Sequence, residues 1–480
     1  MSEIKSASGQ TYYPVIGLEI HAELNTDSKM FSSSKNDPDE FSPNININPI
    51  DLGHPGTLPT INKKAIEHMI KIGLSVDGKI ANFTEFDRKN YFYPDIPKGY
   101  QISQFKYPIV SGGKLAGIDI TRIHLEEDTG LSKHDQGDFS LVDFNRAGVP
   151  LMELVTEPVI TSSKEATDFA KELQLLLRYL EVGEANMEKG EMRVEANISV
   201  SKVKGEFGTK VEVKNLNSFK TVEKAIEFEL DRMIHLYEEG KESSIVQETR
   251  GWDEAKQKTF SQRKKESSDD YRYFPEPDLP KLYLHELYDL DQIKSELPET
   301  PSSKRIRLAQ QYNLPQKDID MYVPNKNLAD FLEEVGTQIT DLDVLQKASN
   351  FILSDIVYIL DNEEDSVLPK TDTFVTLVKL FTEDQITSRG AKDMLNLSMT
   401  SMTEIDPESY ATENDLIQKN NADDLKPIVQ KVLDDNPSVV EEYKSGKESV
   451  IQFFLGQIMK ETKGSANPKM CMELLKELLK

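Results

Sequence analysis

Residues 15–24, VIGLEIHAEL, carry a carboxylate or a histidine at alternate positions. The side chains of a strand alternate between its two faces, so Glu19, His21 and Glu23 share one face and apolar residues fill the other. Carboxylate and imidazole groups two residues apart can bind a metal ion from the same side of a strand. The stretch predicts either a solvated strand face or a binding site.

The same alternation recurs in MRVEANISV and TKVEVKN, which we predict to be strands. In both, valine and other apolar residues form one face. The opposite, polar faces carry Arg193, Glu195, Lys210, Glu212 and Lys214.

A fourth predicted strand, RIHLEED at residues 122–128, contains two adjacent glutamates. Alternation places Glu126 on the polar face beside His124. Glu127 falls in register with the apolar side unless a β-bulge re-aims it. Both glutamates therefore stay candidates for the polar face.

Carboxylates that alternate with cations on neighbouring strands suit chemistry on phosphate groups. Mg²⁺ takes oxygen ligands and shares substrate phosphates, and Arg and Lys stabilise phosphoryl oxygens in the transition state. For any one strand, a solvated face with cross-strand ion pairs explains the same residues. The sequence contains neither a P-loop nor a strand-linked G-x-G-x-x-G, so bound ATP would have to lie on the sheet itself.

The composition narrows the class of protein. A chain of 480 residues predicts two to four domains, and one cysteine, Cys471, excludes an intramolecular disulfide framework and cysteine-based metal sites. A net charge of −26 argues against a non-specific nucleic-acid coat. The sequence shows neither a membrane span nor a signal peptide, so we expect a cytoplasmic protein.

The pattern of elements changes along the chain. Up to about residue 290, short alternating strands mix with helices predicted over 163–180 and 220–240, which predicts an α+β domain around a largely antiparallel sheet. Beyond SDDYRYFPEPDLP the periodicity is helical. We predict a catalytic domain over 1–293, a helical domain over 294–407 and a small helical tail domain over 408–480.

Long stretches of this sequence together resemble the B subunits of bacterial aspartyl/glutamyl-tRNA amidotransferases. They include IGLEIHAEL, FDRKNYFYPDIPKGYQISQF, TRIHLEEDTG, SLVDFNRAGVPLMELVTEP, FGTKVEVKNLNSF, QETRGWDEA and SDDYRYFPEPDLP. FLGQIMKETKGSANPKM resembles the tail of that family, so the resemblance runs essentially from end to end.

The resemblance implies a fold, a reaction and partners. The first domain is expected to be similar to glutamine synthetases and guanidino kinases. Members phosphorylate, with ATP and Mg²⁺, the side-chain carboxylate of Glu or Asp misacylated on tRNA, and ammonia then gives Gln-tRNA(Gln) or Asn-tRNA(Asn). The A subunit of the complex is an amidase (glutaminase) that hydrolyses glutamine, and the ammonia released reaches the site through a channel. A small C subunit completes the heterotrimer.

The resemblance also assigns residues. By position, the family's metal ligands match Glu19, His21, Glu127, Glu195 and Glu212, with Glu126 retained from the alternation. Glu195 stands where many members have Asp, so its contact with the metal is expected to run through water. We expect catalytic roles for Lys89, Glu127 and Arg193, and ATP contacts from Lys89, Arg193, Lys210 and Lys214.

One departure from the family concerns zinc. Some members carry a Cys-x-Cys and Cys-x-x-Cys site, whereas the matching positions here are Ser32, Ser34, Asn48 and Asp51. Oxygen-bearing side chains do not replace four thiolates, so we expect no zinc.

The C-terminal segment, residues 456–480, is mildly basic within an acidic chain. Lys460, Lys463 and Lys469 surround a predicted turn in it. Because the tail of the family binds tRNA outside the active site, we expect residues 408–480 to do the same. Two alternatives stay open, a non-catalytic tRNA-binding scaffold and a glutamine-synthetase-like ligase acting on a free amino acid. The carboxylate-bearing strands argue against the first, and the long helical part argues against the second.

Overall fold

The computed structural model describes residues 3–133, 137–264, 271–401, 405–414, 416–418, 421–462 and 466–479. The chain divides into two compact units, residues 1–302 and 303–480. Within the described ranges, no helix combines the length and the apolar character needed to cross a bilayer.

The strands of the described residues all lie in the first unit. In chain order they are β1 (Ile4–Lys5), β2 (Thr11–Glu23), β3 (Lys79–Ile80), β4 (Phe83–Thr84), β5 (Asp87–Asn90), β6 (Tyr100–Ser103), β7 (Val110–Ser111), β8 (Lys114–Leu115), β9 (Ile118–Glu127), β10 (Leu131–Lys133), β11 (Leu141–Asp143), β12 (Pro150–Thr156), β13 (Met192–Ser201), β14 (Val211–Leu216), β15 (Glu248–Asp253), β16 (Lys258–Lys264), β17 (Phe274–Pro275) and β18 (Leu282–Tyr283).

One large sheet organises this unit. Its strand order is β16-β15-β14-β13-β2-β12-β9-β7-β3, with β1 paired to β2 and β8 paired to β9. The pairs are antiparallel except β14 with β15, which run parallel, so the sheet is mixed. The sheet's long central strand, β2, lies between β12 and β13 and sets the register of the polar side chains.

Helices cover the apolar face of this sheet. They are α1 (Lys63–Ser75), α2 (Ser163–Tyr179) and α3 (Phe219–Glu238). Two short helices, α4 (Leu284–Leu287) beside β18 and α5 (Leu290–Ser295) beside α1, follow near the end of the unit. The two helices predicted over 163–180 and 220–240 are confirmed. Ser162 caps α2 by accepting a hydrogen bond from the Glu165 amide at 3.2 Å. Ile20, Leu173 and Val222 are fully buried where strands and helices meet.

A smaller sheet of β17, β5 and β6, in that order, packs beside the main one. We call it the small sheet. In its register Arg88 lies opposite Phe274 and Ile102. Arg88 also donates to Glu276 at 2.5 and 2.8 Å. This bidentate pair fixes β5, and with it the neighbouring Lys89, in place.

The second unit is helical. Its helices are α6 (Pro301–Tyr312), α7 (Gln316–Tyr322), α8 (Lys326–Gln338), α9 (Leu342–Asn350), α10 (Val357–Asn362), α11 (Thr371–Thr382), α12 (Ser388–Thr400), α13 (Pro407–Glu413), α14 (Ala422–Asp434), α15 (Pro437–Lys444), α16 (Ile451–Glu461) and α17 (Pro468–Leu478), with a π-helical segment, Phe351–Ile356, between α9 and α10. The order predicted from the sequence, a sheet domain followed by a helical region, is confirmed. A further division at residue 408 stays a prediction.

Candidate active site

The polar face of β2 and its neighbours gathers the first set of predicted ligands. Glu19 and His21 lie two residues apart on β2, and Glu195 lies opposite Glu19 on β13. One potential ligand atom from each of these side chains lies within 4.8 Å of the others. Alternation within two strands and antiparallel pairing between them therefore bring the three donors to one point.

A second group of donors shares His21. Its Nε2 lies 3.6 Å from Glu126 Oε1 on β9 and 3.4 Å from Glu153 Oε2 on β12. His124 Nε2, also on β9, lies 3.3 Å from the same Glu153 oxygen. His21, Glu153 and His124 face one another across three adjacent strands. We call Glu19, His21, His124, Glu126, Glu153, Glu195 and Glu212 the carboxylate cluster.

Burial and crowding shift the pKa values in this cluster. Burial, followed by the charges of Glu153 and Glu195, raises the pKa of Glu19 to about 7. Burial lowers the pKa of His21, but its hydrogen bond to Glu153 and the surrounding carboxylates outweigh burial and raise the pKa to about 9. The same competition raises the pKa of His124 to about 9. Acidic groups thus crowd together here, and the histidine protons supply part of the positive charge.

Lysine and arginine side chains border the cluster. Lys214 Nζ lies 2.8 Å from Glu195 Oε2 and 3.9 Å from Glu212 Oε1. Arg193 donates from its Nη2 to Asp128 Oδ2 at 2.7 Å, and this pairing, despite burial, raises the pKa of Arg193. The predicted phosphate-binding cations Lys214 and Arg193 therefore lie on the same face as the predicted ligands.

The other two predicted phosphate-binding cations, Lys89 and Lys210, differ in how close they lie to the carboxylate cluster. Lys89, on β5 of the small sheet, has a pKa that the charge of Glu126 raises in spite of burial, so its ammonium group faces the cluster. Lys210 directly precedes β14 and is exposed to solvent. The structure thus brings Lys89 to the cluster and leaves Lys210 at its outer edge.

Glu127 is not brought into the cluster. Both of its carboxylate oxygens accept hydrogen bonds from Lys98, with 2.6 Å for Nζ to Oε2, and Oε1 also accepts from the Ile102 amide at 2.8 Å. The alternation along β9 directs Glu126 and Glu127 to opposite faces, and β9 has no bulge at this point of its pairing with β12. The geometry favours Glu126 over Glu127 as a ligand.

Glu212 lies at the β14 side of the cluster. Its Oε2 accepts a hydrogen bond from Thr249 on β15 at 2.7 Å, which fixes the carboxylate. Opposite Glu212 on β13 lies Asn197, whose Oδ1 is buried and has no hydrogen-bond partner within the described part of the chain. A buried acceptor without a donor costs free energy, and a bound cation or its water would satisfy it.

Sequence reasoning missed Glu153, which contacts both histidines of the cluster. In PLMELV, residues 150–155, Glu153 is the one charged residue in an apolar run, and that was the available signal. Its neighbours follow from the pairing of β12 with β2 and β9, contacts between residues far apart in the sequence. Alternation within a strand does not reveal such pairing.

The positions that match the family's zinc site form a hydrogen-bond network. Asp51 Oδ2 accepts from Ser34 Oγ at 2.6 Å and from the Asn48 amide at 2.9 Å, and it lies 3.8 Å from the buried Lys29 ammonium. Burial lowers the pKa of Lys29 to about 8, against the attraction of Asp51. Hydroxyl and amide groups beside an ammonium group do not suit Zn²⁺, which prefers thiolate and imidazole ligands.

The donor set of the carboxylate cluster suits a hard divalent cation. Carboxylate oxygens outnumber the neighbouring lysines, and loss of the His21 proton would leave a deficit of positive charge that such an ion matches. Carboxylates that can hold a metal ion and lysines or arginines that can bind phosphate oxygens are the groups that metal-assisted phosphoryl transfer requires.

Comparison with known proteins places the chain in a family. Residues 14–288 match the GatB/GatE catalytic domain, and residues 330–479 match the GatB domain. The aspartyl/glutamyl-tRNA(Asn/Gln) amidotransferase B subunit of Caldanaerobacter subterraneus subsp. tengcongensis is 44% identical, over 98% of this chain and 99% of that protein. The proteins of the same name from Crocosphaera subtropica and Thermotoga neapolitana are 42% and 41% identical, each over 98% of this chain.

The chain belongs to the family of aspartyl/glutamyl-tRNA(Asn/Gln) amidotransferase B subunits. It is thereby one component of a tRNA-dependent amidotransferase, which confirms the resemblance drawn from the sequence.

Proposed function

We propose that this chain carries the ATP-dependent half of the amidotransferase reaction. The side-chain carboxylate of Glu or Asp misacylated on tRNA attacks the γ-phosphorus of ATP, and ADP leaves. Ammonia then adds to the acyl carbon of the phosphorylated carboxyl group, phosphate leaves, and a proton is lost from nitrogen. The products are Gln-tRNA(Gln) or Asn-tRNA(Asn), ADP and phosphate.

The carboxylate cluster is the observation that carries this proposal. It brings Glu19, His21 and Glu195 together, and Glu126 and Glu153 extend it through the shared His21. These residues, with Glu212 at the edge, would hold Mg²⁺. When bound, the ion would neutralise charge on the phosphoryl oxygens.

The chain's own cations have complementary roles. Lys89 and Lys214 approach the cluster from two sides, from the small sheet and from β14, and so can bind phosphate oxygens at either edge. Arg193 is held by Asp128, which fixes its guanidinium group beside His21 in the strand register. Lys210, exposed before β14, is proposed to contact ATP at its outer end. We assign the ligand role to Glu126 and leave Glu127 paired with Lys98.

The proposed fold relationship and partners follow from the resemblance. We propose that the first unit is similar to glutamine synthetases and guanidino kinases. We also propose that the chain acts in the cytoplasm, within a heterotrimer that contains an amidase (glutaminase) as its A subunit and a small C subunit. Its Cys471 is buried, and burial raises the pKa of the thiol, so it is unsuited to act as the nucleophile of glutamine hydrolysis.

The second unit is proposed to bind tRNA outside the active site. A groove of about 1060 Å³ in this unit is lined by Arg389 from α12, Lys460 from α16 and Lys469 from α17, among other residues. Their positive charges can pair with backbone phosphates. Lys463 of the predicted basic turn lies outside the described residues. This groove is the part of the helical region that best supports a role in tRNA binding.

Glu212→Gln tests the assignment in the assembled complex. The neutral amide keeps the shape of the side chain and can still accept from Thr249, but it loses the charge beside Lys214. We expect loss of tRNA-dependent ATP hydrolysis with measurable glutaminase activity. Glu206→Gln, an exposed position between β13 and β14, is the matched control. Unchanged ATP hydrolysis in Glu212→Gln would contradict the proposal.

The alternatives make different predictions in the same assay. A ligase for a free amino acid would hydrolyse ATP with free glutamate or aspartate and without tRNA. A non-catalytic scaffold would bind tRNA equally well in Glu212→Gln and would show no ATP hydrolysis of its own to lose.

A further inference from the structure

A row of aromatic side chains runs along the ends of the small sheet. Tyr91 and Tyr93 follow β5, Tyr271 and Tyr273 precede β17, and Phe105 follows β6. Successive ring centroids, from Tyr93 through Tyr91, Tyr271 and Tyr273 to Phe105, are 6.2, 5.9, 6.0 and 4.3 Å apart, and the last pair is stacked with an interplanar angle of 11°. We call these five residues the aromatic row.

The aromatic row is not part of a core. Tyr93 and Phe105 at its ends are 60% and 54% exposed, and the neighbouring Phe92 is 81% exposed. Tyr91, Tyr271 and Tyr273 between them are half-buried. Single exposed aromatics are ordinary, but exposed rings at both ends of a connected row indicate a binding surface. The ring faces at both ends of the row are therefore accessible to a flat ligand.

The backbone between two of these tyrosines is held in a strained conformation. Arg272 has a φ of +46°, in the left-handed region that arginine rarely adopts. The Asn90 side-chain amide donates to the carbonyl of Tyr271 at 3.3 Å and to that of Arg272 at 2.9 Å. Such strain persists only where surrounding contacts enforce it, and it is concentrated at functional sites. Here it fixes Tyr271 and Tyr273 in the row.

The small sheet that carries the aromatic row is joined to the carboxylate cluster. Lys89 Nζ lies 5.2 Å from the centroid of the Tyr271 ring. Ser103 on β6, two residues before Phe105, donates a hydrogen bond to Glu126 Oε2 of the cluster at 2.9 Å. Burial, offset by Lys89, raises the pKa of Tyr273 to about 12, with further contributions from Glu126 and Glu153. A substrate whose reactive carboxylate lies at the cluster would therefore extend onto these rings.

Positive charges accompany the row. Arg272 lies exposed between Tyr271 and Tyr273, Lys106 directly follows Phe105, and Lys89 lies beside Tyr271 in the middle of the row. In a chain with a net charge of −26, cations placed among exposed rings are complementary to a polyanion that carries flat bases. Single-stranded nucleic acid combines these two properties.

We propose that the aromatic row stacks the unpaired nucleotides at the 3′ end of the acceptor strand of tRNA. The inference rests on the proposed function, because the amino acid to be amidated is esterified to the terminal nucleotide. With that amino acid at the carboxylate cluster, a preceding unpaired base stacks on Phe105, whose ring is 54% exposed and is stacked in turn on Tyr273. Arg272 and Lys106 pair with the neighbouring phosphates.

The test uses the assembled complex and uncharged tRNA, without ATP. Phe105→Ala is expected to weaken binding of intact tRNA about tenfold, the order of magnitude of one base–aromatic stack. Binding of tRNA that lacks its unpaired 3′ nucleotides should be the same in Phe105→Ala and in the parent complex. Phe105→Trp should restore the affinity for intact tRNA. Phe207→Ala, at a 70% exposed phenylalanine outside the row, is the matched control and should change neither affinity.

Two results would overturn the proposal. One is an equal effect of Phe105→Ala on intact and shortened tRNA, including no effect on either. The other is weaker binding of ATP, titrated separately into the complex without tRNA, together with unchanged tRNA affinity, which would assign the rings to the adenine of ATP. Because the binding measurement needs no turnover, its outcome is independent of whether the amidation test succeeds.

Discussion

Two groups of buried charges in the first unit are arranged in opposite ways. In what we call the buried pairs, Lys98 with Glu127 and Lys29 with Asp51, each carboxylate faces a single ammonium group and accepts further hydrogen bonds. In the carboxylate cluster, carboxylates face one another, as Glu19 does with Glu195. In the buried pairs ammonium groups and carboxylates are equal in number, whereas in the cluster the carboxylates outnumber the lysines beside them.

This difference separates structural charges from functional ones. Burying a carboxylate costs free energy that a paired ammonium group offsets, and with the pairing complete there is no requirement for a ligand. The cluster leaves part of that cost in place, which shows as the raised pKa of Glu19 and the unpartnered Asn197 oxygen within the described residues. A cation or a charged substrate can remove it on binding.

The largest expected effect comes from removing a charge of the cluster. Glu19→Gln should lower tRNA-dependent ATP hydrolysis of the assembled complex about a thousandfold, equivalent to about 4 kcal/mol in activation free energy. The reason is that Glu19 faces both His21 and Glu195 at the point where the donors converge. Initial rates over a Mg²⁺ titration would measure the effect.

Glu23→Gln is the matched control on the same strand and face. Burial and the charge of Asp128 raise the pKa of Glu23 to about 8, so at pH 7 this side chain is mostly protonated and an amide replaces a neutral group. We expect a change of less than about threefold. A loss in Glu23→Gln as large as that in Glu19→Gln would show that the whole face, rather than the donor group, is sensitive.

The next effect concerns stability. Lys98→Met leaves Glu127 buried without its cation and should destabilise the first unit by about 3 kcal/mol, as expected for one partner lost from a buried pair. Lys114→Met, at an exposed pair with Asp119, is the control and should change little. Urea unfolding monitored in the first unit would measure both.

Catalysis should respond differently from stability in the same variant. Lys98 lies outside the carboxylate cluster, so ATP hydrolysis per folded Lys98→Met complex should stay within about threefold of the parent at a temperature where the protein is folded. A thousandfold loss would place Glu127 and Lys98 in the active site after all, as the motif match with the family suggested for Glu127.

Alternation within single strands predicted some residues of the candidate site, but it could not predict those that distant strands bring to it. Alternation identified Glu19, His21 and Glu195 because it depends only on the geometry of a single strand. It also placed Glu126 and Glu127 on opposite sides. The order of a sheet domain followed by a helical region, and the helices over 163–180 and 220–240, followed from local periodicity as well.

The non-local part of the fold was hidden from the sequence. Glu153 joins the cluster only because β12 inserts between β2 and β9, and Lys98 reaches Glu127 only because the small sheet packs against β9. Such pairings depend on register between distant segments, and a shift of one residue would invert every side chain.

Glu153→Gln would distinguish a residue that binds Mg²⁺ directly from one that only orients the ligand His21. Glu153 accepts from both His21 and His124, so the neutral amide should reduce the orientation of His21 and lower the affinity for Mg²⁺ by about ten- to a hundredfold. Calorimetric titration of Mg²⁺ into the assembled complex would measure it. An effect as large as that of Glu19→Gln would make Glu153 a direct ligand, and no effect would remove it from the site.

The smallest effect is expected where charges are neither buried nor crowded. Lys460 and Lys469 are exposed at the groove of the second unit, where water and salt screen each interaction. Lys460→Gln combined with Lys469→Gln should weaken tRNA binding only a few-fold at low salt, and the slope of log affinity against log salt should become shallower by about two, one for each lost phosphate contact. Lys447→Gln, an exposed lysine paired with Glu442 away from the groove, is the control. Titrations of labelled tRNA at several salt concentrations would measure the slope. An unchanged slope would mean that the groove does not contact the tRNA backbone, and that the acceptor end at the first unit accounts for recognition.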